Sequence, residues 1–268
     1  MLNTEKRNPK TTHIDQMSVM EMVRVINEEN YNAVKAVEAE SENIAKAIEV
    51  ISQAFEQGGR LFYIGAGTSG RLAVLDAAEC PPTYGVSPDM VTAIIAGGRE
   101  CMFRASENAE DREENGIKDI MEHGIKAGDV LVGISAAGGA AYVLGAMKKA
   151  KELGCTTIAL TCNADSPIDR AGDIKICTDT GAEVVTGSTR MKAGTAQKLV
   201  LNTLSTCAMI KVGNVYENMM INLAPSNVKL RDRMVRIVVE ILGCSYDESV
   251  ELLEKNDWKI RRAVEPRG

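Results

Sequence analysis

Hydrophobic positions along the chain follow two different periods. After a polar lead, Met20, Met22, Val23 and Ile26 recur at helical spacing, and either Asp15 or Ser18 can cap that helix. A second amphipathic run over 32–57 places Val34, Val37, Ile44, Ile48, Ile51 and Phe55 at intervals of three, four and seven, and Gly58-Gly59 stops it. The period then changes. Residues 60–64, 90–96, 129–135, 156–161 and 174–177 are short apolar or β-branched runs, separated by helical stretches over 71–79, 104–123 and up to Leu153. Buried strands alternating with helices predict an α/β fold with a parallel sheet covered on both faces. Cys80-Pro81-Pro82 is expected to end the 71–79 helix, because proline cannot continue one. From about Met191 the pattern is helical, through 191–212 and 228–242, with Ser188 or Thr189 as the expected cap of the first of these.

Two strand-loop-helix units stand out, because a parallel sheet binds ligands beyond the C-terminal ends of its strands. The first reads Gly65-Ala66-Gly67-Thr68-Ser69-Gly70 and opens a helix. Glycines allow close backbone approach, the helix start supplies free N–H groups, and Gly67, Thr68 and Ser69 together suit an oxyanion such as phosphate. The spacing also matches the dinucleotide fingerprint, but the acidic residue expected about 20 residues on is missing from the proline-rich 80–88 loop. A Walker lysine is missing too. The second unit, Ser135-Ala136-Ala137-Gly138-Gly139-Ala140-Ala141-Tyr142, has the same small-residue shape with few hydroxyls. Ser135 and the backbone at Gly138 are its means of holding an anion. In a third segment, 187–198, Ser188 and the cations Arg190 and Lys192 are candidates to meet one.

Composition narrows the chemistry. Only two histidines occur, His13 and His123, which excludes a three-histidine metal site and leaves little room for serine–histidine catalysis. Seven cysteines with no C-x-x-C pair argue against zinc and a disulfide framework. A net charge of −6 and 4% aromatics recommend no nucleic-acid surface. No apolar run approaches a membrane span and the N-terminus has no secretory h-region, so the cytoplasm is the expected location. Proton transfer then falls to carboxylates. Glu79 is singled out by its expected place at a helix C-terminus, which disfavours the ionised acid and suits a proton donor. Glu107, Glu110, Asp111, Glu113 and Glu114 form an acidic run from which spacing alone chooses none.

The quoted motifs carry a resemblance. GAGTSGRLAVLDAAECPPTYGV in 61–98, Glu107-Asn108-Ala109-Glu110-Asp111, GAEVVTGSTRMKAGTAQK over 181–198, the lead over 4–9 and residues 222–230 closely resemble the N-acetylmuramic acid 6-phosphate etherase family. The resemblance implies a flavodoxin-like SIS three-layer sandwich related to the glucokinase regulatory proteins. N-terminal helices would span 1–55, the phosphosugar domain 56–225, and a curtailed helical module similar to a ubiquitin-associated domain 226–268. It implies cleavage of a D-lactyl ether by elimination and water addition, in cell-wall sugar recycling, with no metal or organic cofactor. The family acid falls on Glu79 and the second carboxylate on Glu110, with Glu107 in reserve. Thr68 and Ser69 would hold phosphate, in a homodimer whose sites are completed across the interface. One departure is visible. Ala137, Gly139, Ala140 and Ala141 stand where the family has Ser, Arg, Thr and Pro. That loss favours a second expectation, a phosphosugar-binding regulator without turnover. A third, a sugar-phosphate isomerase, is opposed by the E-C-P-P segment.

Overall fold

Five short strands, β1 (Leu61–Gly65), β2 (Val91–Ile95), β3 (Val130–Ser135), β4 (Thr156–Thr161) and β5 (Ile174–Cys177), pair in parallel in the order β2-β1-β3-β4-β5. The computed structural model describes residues 1–264 except 107, 224 and 226. Side chains alternate across each strand. Leu61, Tyr63, Val130, Val132 and Ile134 therefore join the apolar cluster under α2 (Ser41–Glu56), α3 (Gly67–Tyr84) and α7 (Lys192–Lys211). Phe62, Ile64 and Leu131 face α4 (Glu113–Glu122), α5 (Ala141–Glu152) and α6 (Pro167–Ala171). The result is the expected three-layer sandwich. The chain runs from β1 to β2 on one side and returns to β3 on the other, so the strand order switches between β1 and β3. That is where such sheets bind ligands, and it sets the loops after β1 and β3 side by side.

α1 (Val19–Ala39) starts at Ser18, which forms a capping box with Glu21. It then runs into territory where a second helix was expected, because the break falls at Glu40 rather than between 26 and 32. Two further differences bear on function. Residues 104–106 and 108–112 form turns and irregular chain instead of helix, and α4 begins only at Glu113; Asn108 takes a left-handed conformation, with φ 64°, unsuited to a helix. α3 does not stop at Cys80 but continues through Pro81 and Pro82 to Tyr84. The prolines remove only bonds of the last turns. Tyr84 is buried with its hydroxyl donating to Thr206 (2.9 Å), and left-handed Gly85 closes the helix by donating to Pro81 O.

Beyond α7, a two-stranded hairpin, β6 (Val215–Tyr216) with β7 (Met219–Met220), leads to α8 (Val228–Leu242), α9 (Tyr246–Lys255) and α10 (Ile260–Val264). These three helices gather Met234, Val235, Val238, Leu253 and Ile260 into an apolar cluster of their own. Among the described residues, no helix is long and apolar enough to cross a membrane.

Candidate active site

The β1–α3 turn is made by two glycines in contact. A Cβ on Gly65 would lie 2.8 Å from Gly70 N, and one on Gly70 would lie 2.7 Å from Gly65 O, so only glycine lets the strand end abut the helix start. The first N–H groups of α3 then point outward at the positive end of the helix dipole. Thr68 and Ser69 add hydroxyls to a cavity of about 330 Å³ that Gly67 and Ser135 also line.

The two loops prepare their hydroxyls differently. Ser69 Oγ donates to Gln197 Oε1 (2.9 Å), and the Gln197 Nε2, fully buried, has no acceptor among the described residues. Ser135 Oγ instead accepts the Gly138 N–H (3.1 Å), which leaves its own proton to give. The β3–α5 loop is held at its backbone carbonyls: Cys162 N–H and the Asn163 side-chain Nδ2 donate to Ala136 O, and Ile168 N–H donates to Gly138 O. Gly138 has φ +76°, and a Cβ there would overlap Ser166 Oγ, so Gly138 shapes the loop from behind the cavity. Ala137 and Ala140 line the cavity without polar side-chain atoms to offer.

Glu110 is exposed on the wall of this cavity and of a neighbouring one of about 400 Å³ that Arg71 also lines. The Glu110 carbonyl accepts the Tyr142 N–H (2.9 Å), which fixes the acid to the start of α5. The structure thus brings Gly67, Thr68, Ser69, Ser135 and Glu110 together. Glu107 lies outside the described residues.

Three expectations change. Glu79 lies inside α3, five residues before its end at Tyr84, so the helix-end argument that singled it out does not apply. It is exposed and lies twelve residues beyond Gly67, about 18 Å along a helix axis, so it does not line its own chain's cavity. Lys192 is 2% exposed, with its ammonium 2.5 Å from Glu29 Oε2, committed to an internal ion pair rather than to the cavity. Ser188 neither lines the cavity nor caps α7; its neighbours Gly187 and Thr189 line it. The cap is Glu183, whose carboxylate accepts the N–H groups of Lys192 (3.3 Å) and Ala193 (2.9 Å).

Buried charge supports this side of the site. Burial pushes Glu183 above its ordinary value despite its two backbone donors. Glu29 is also penalised by burial, yet Lys192, Asn8 and Lys10 together hold it below its ordinary value. The buried thiols serve packing: burial raises Cys80 to about 12 and Cys162 to about 11. Sequence reading missed Glu183, Gln197 and Glu5, another residue on the cavity wall. Glu183 had a signal, an acid among Ala182, Val184 and Val185 shortly before a helix start. Gln197 and Glu5 had none, because helix packing and chain docking bring them to the site.

A strand order that switches beside a hydroxyl-lined helix start defines an open α/β fold built to bind an anionic ligand, and the SIS phosphosugar-binding fold is of this class. The comparisons agree. Residues 43–151 match the glucokinase regulatory protein N-terminal SIS domain, and residues 104–206 match the SIS domain. Phosphoheptose isomerases from Neisseria gonorrhoeae (TM-score 0.54, 23% identity, 71% of this chain and 98% of that one) and Francisella tularensis (0.54, 19%, 72% and 98%) share the fold. Closer in sequence are N-acetylmuramic acid 6-phosphate etherases. That of Clostridium beijerinckii is 49% identical over 98% of this chain and 86% of its own, and that of Aliivibrio salmonicida 51% over 98% and 88%. The chain belongs to the N-acetylmuramic acid 6-phosphate etherase family.

Proposed function

We propose that this chain cleaves the D-lactyl ether of N-acetylmuramic acid 6-phosphate, releasing D-lactate and N-acetylglucosamine 6-phosphate in the cytoplasm. The observation that carries the reading is Glu110 on the wall of the socket formed by Thr68, Ser69, Ser135 and the α3 N-terminus. An oxyanion at the helix start places the rest of an open-chain sugar along the cavity toward Glu110. The aldehyde acidifies the C2 proton, which Glu110 removes. The electron pair forms a C2–C3 double bond as the C3–O bond breaks, and a second acid protonates the departing lactyl oxygen. Water then adds at C3, with the proton returned to C2 and the two carboxylates exchanging roles.

Glu79 is the second acid, supplied by another copy of the chain. Leu75, half-exposed, and Ala78 share its face of α3, an apolar and accessible surface around a carboxylate that its own cavity does not use. A homodimer joined across this face completes two sites. Lactate assay of the purified chain with N-acetylmuramic acid 6-phosphate tests the reaction, and release of D-lactate is expected. Glu79→Gln and Glu110→Gln should each lower kcat by about 10²–10⁴. Mixing the two variants should restore roughly a quarter of wild-type activity, since half the dimers then carry one intact site. No recovery would place both acids in one chain. The apolar β3–α5 loop favours one other reading, a regulator that binds phosphosugar without turnover. Ligand-induced stabilisation with no lactate would select it.

A further inference from the structure

The chain's first turn, Asn3–Glu5, is docked against the cavity. Asn3 N–H donates to Asn163 Oδ1 (2.7 Å), Asn3 Nδ2 donates to Asp179 (2.7 Å), and Asn163 Nδ2 donates to the buried Thr4 hydroxyl (3.1 Å). The same Asn163 amide donates to Ala136 O (3.0 Å), which ties the lead to the β3–α5 loop. The next residue, Glu5, is thereby set on the cavity wall with Thr68, Ser69 and Glu110. Its Oε2 lies 3.2 Å from where a Cβ on Gly187 would sit. The Glu5 carboxylate makes no hydrogen bond or ion pair with the described residues. The described cavity lining includes no lysine or arginine. Two carboxylates therefore face a ligand that is itself anionic at its phosphate end. Coulomb repulsion makes such an acid a cost to phosphate binding, and the hydrogen bonds that dock the lead hold it there nonetheless.

We propose that Glu5 is a specificity residue that accepts hydrogen bonds from neutral donors of the sugar, a hydroxyl or the acetamido N–H, away from the phosphate. This rests on the phosphosugar reading of the cavity. It has a crossed consequence. Removing the carboxylate weakens a ligand that has those donors, and relieves repulsion toward a ligand that is phosphate alone. A residue that merely supports the loop would weaken both.

Calorimetric titration of the wild-type chain, Glu5→Ala and Glu5→Gln with N-acetylglucosamine 6-phosphate and, separately, inorganic phosphate reads this directly. Glu5→Ala should weaken the sugar phosphate by about tenfold or more and leave inorganic phosphate unchanged or tighter. Glu5→Gln, which keeps one acceptor oxygen, should fall between. Equal sugar-phosphate affinity in all three proteins, or parallel weakening of both ligands, overturns the assignment of Glu5 alone. A folded wild-type chain that binds neither ligand overturns the phosphosugar reading and this proposal with it.

Discussion

The loops after β1 and β3 have the same backbone plan and opposite means of support. Each leaves a strand at the sheet's switch point and opens a helix. The first presents the Thr68 hydroxyl and is buttressed by α7, where Gln197 Oε1 accepts the hydrogen bond of Ser69 and Gly194 packs near Thr68. The start of α7 depends in turn on buried charge, Glu183 on its N–H groups and Lys192 on Glu29. The second loop is poor in side-chain donors and is held at its own carbonyls, Ala136 O by Cys162 N–H and the Asn163 side chain and Gly138 O by Ile168 N–H. Loop shape and ligand donors are thus separable: the second loop keeps its form with Ala137, Gly139, Ala140 and Ala141 in place. One loop should respond to charge and pH, the other to backbone conformation.

The largest expected effect breaks the first support. Lys192→Met leaves Glu29 buried without its main cation and should cost about 3–5 kcal/mol in urea unfolding. Replacing both partners by apolar residues should recover most of that loss. Acid should do reversibly what the substitution does. Glu29 is held below its ordinary value of 4.5 in the folded chain. Its stabilising contribution is therefore complete above about pH 4.5 and is lost as pH falls through the lowered value. The wild-type unfolding midpoint should drop in that window, and the apolar double variant should lose that part of the drop. Equal acid sensitivity in the two proteins would show that the pair does not support the fold.

A smaller effect separates the loops by conformation. Gly67 and Gly138 both have positive φ, at +53° and +76°, but a Cβ at Gly67 meets open space whereas one at Gly138 overlaps Ser166. Gly67→Ala should cost the backbone term alone, about 1–2 kcal/mol. Gly138→Ala should cost more than that, with the second loop displaced. Equal unfolding free energies for the two variants would mean that Ser166 moves aside freely.

The sheet was legible because buried parallel strands are continuous apolar runs, and all five fall within a residue or so of the expected positions. The first loop was legible because its chemistry is local: Gly65, Gly67, Thr68, Ser69 and Gly70 act through neighbouring backbone. Proline misled at Glu79: Pro81 and Pro82 stand among the last four residues of α3, where they remove only their own two N–H donors, and Tyr84 and Gly85 secure the end. Lys192 misled for a different reason. A cation at a helix start reads as an anion site, and its partner Glu29 lies 163 residues away, placed by α1 packing on α7. The Glu183 cap displaced Ser188 and Thr189 from nearer by: it lies nine and ten residues before Lys192 and Ala193, and the irregular chain between them folds its carboxylate back onto their N–H groups. Local rules name the donors, and packing decides which are already spent.

The smallest expected effect sharpens the comparison by adding function to the quiet loop. Gly139 is exposed, with open space where a Cβ would sit, and Ala137 is partly exposed on the cavity wall. Both positions therefore accept larger residues at little cost to the fold. Ala137→Ser with Gly139→Arg adds a hydroxyl and a guanidinium beside the Ser135 proton. Ordering an exposed arginine offsets part of each new bond. The expected gain is about 1 kcal/mol in binding of N-acetylglucosamine 6-phosphate, with the unfolding midpoint unchanged. Titration of the double variant beside the wild-type chain measures it. A gain confined to the sugar phosphate and absent for inorganic phosphate would direct the new groups to the sugar. A gain for both would place them on the phosphate, and none for either would mean that the first loop and Ser135 already saturate the anion.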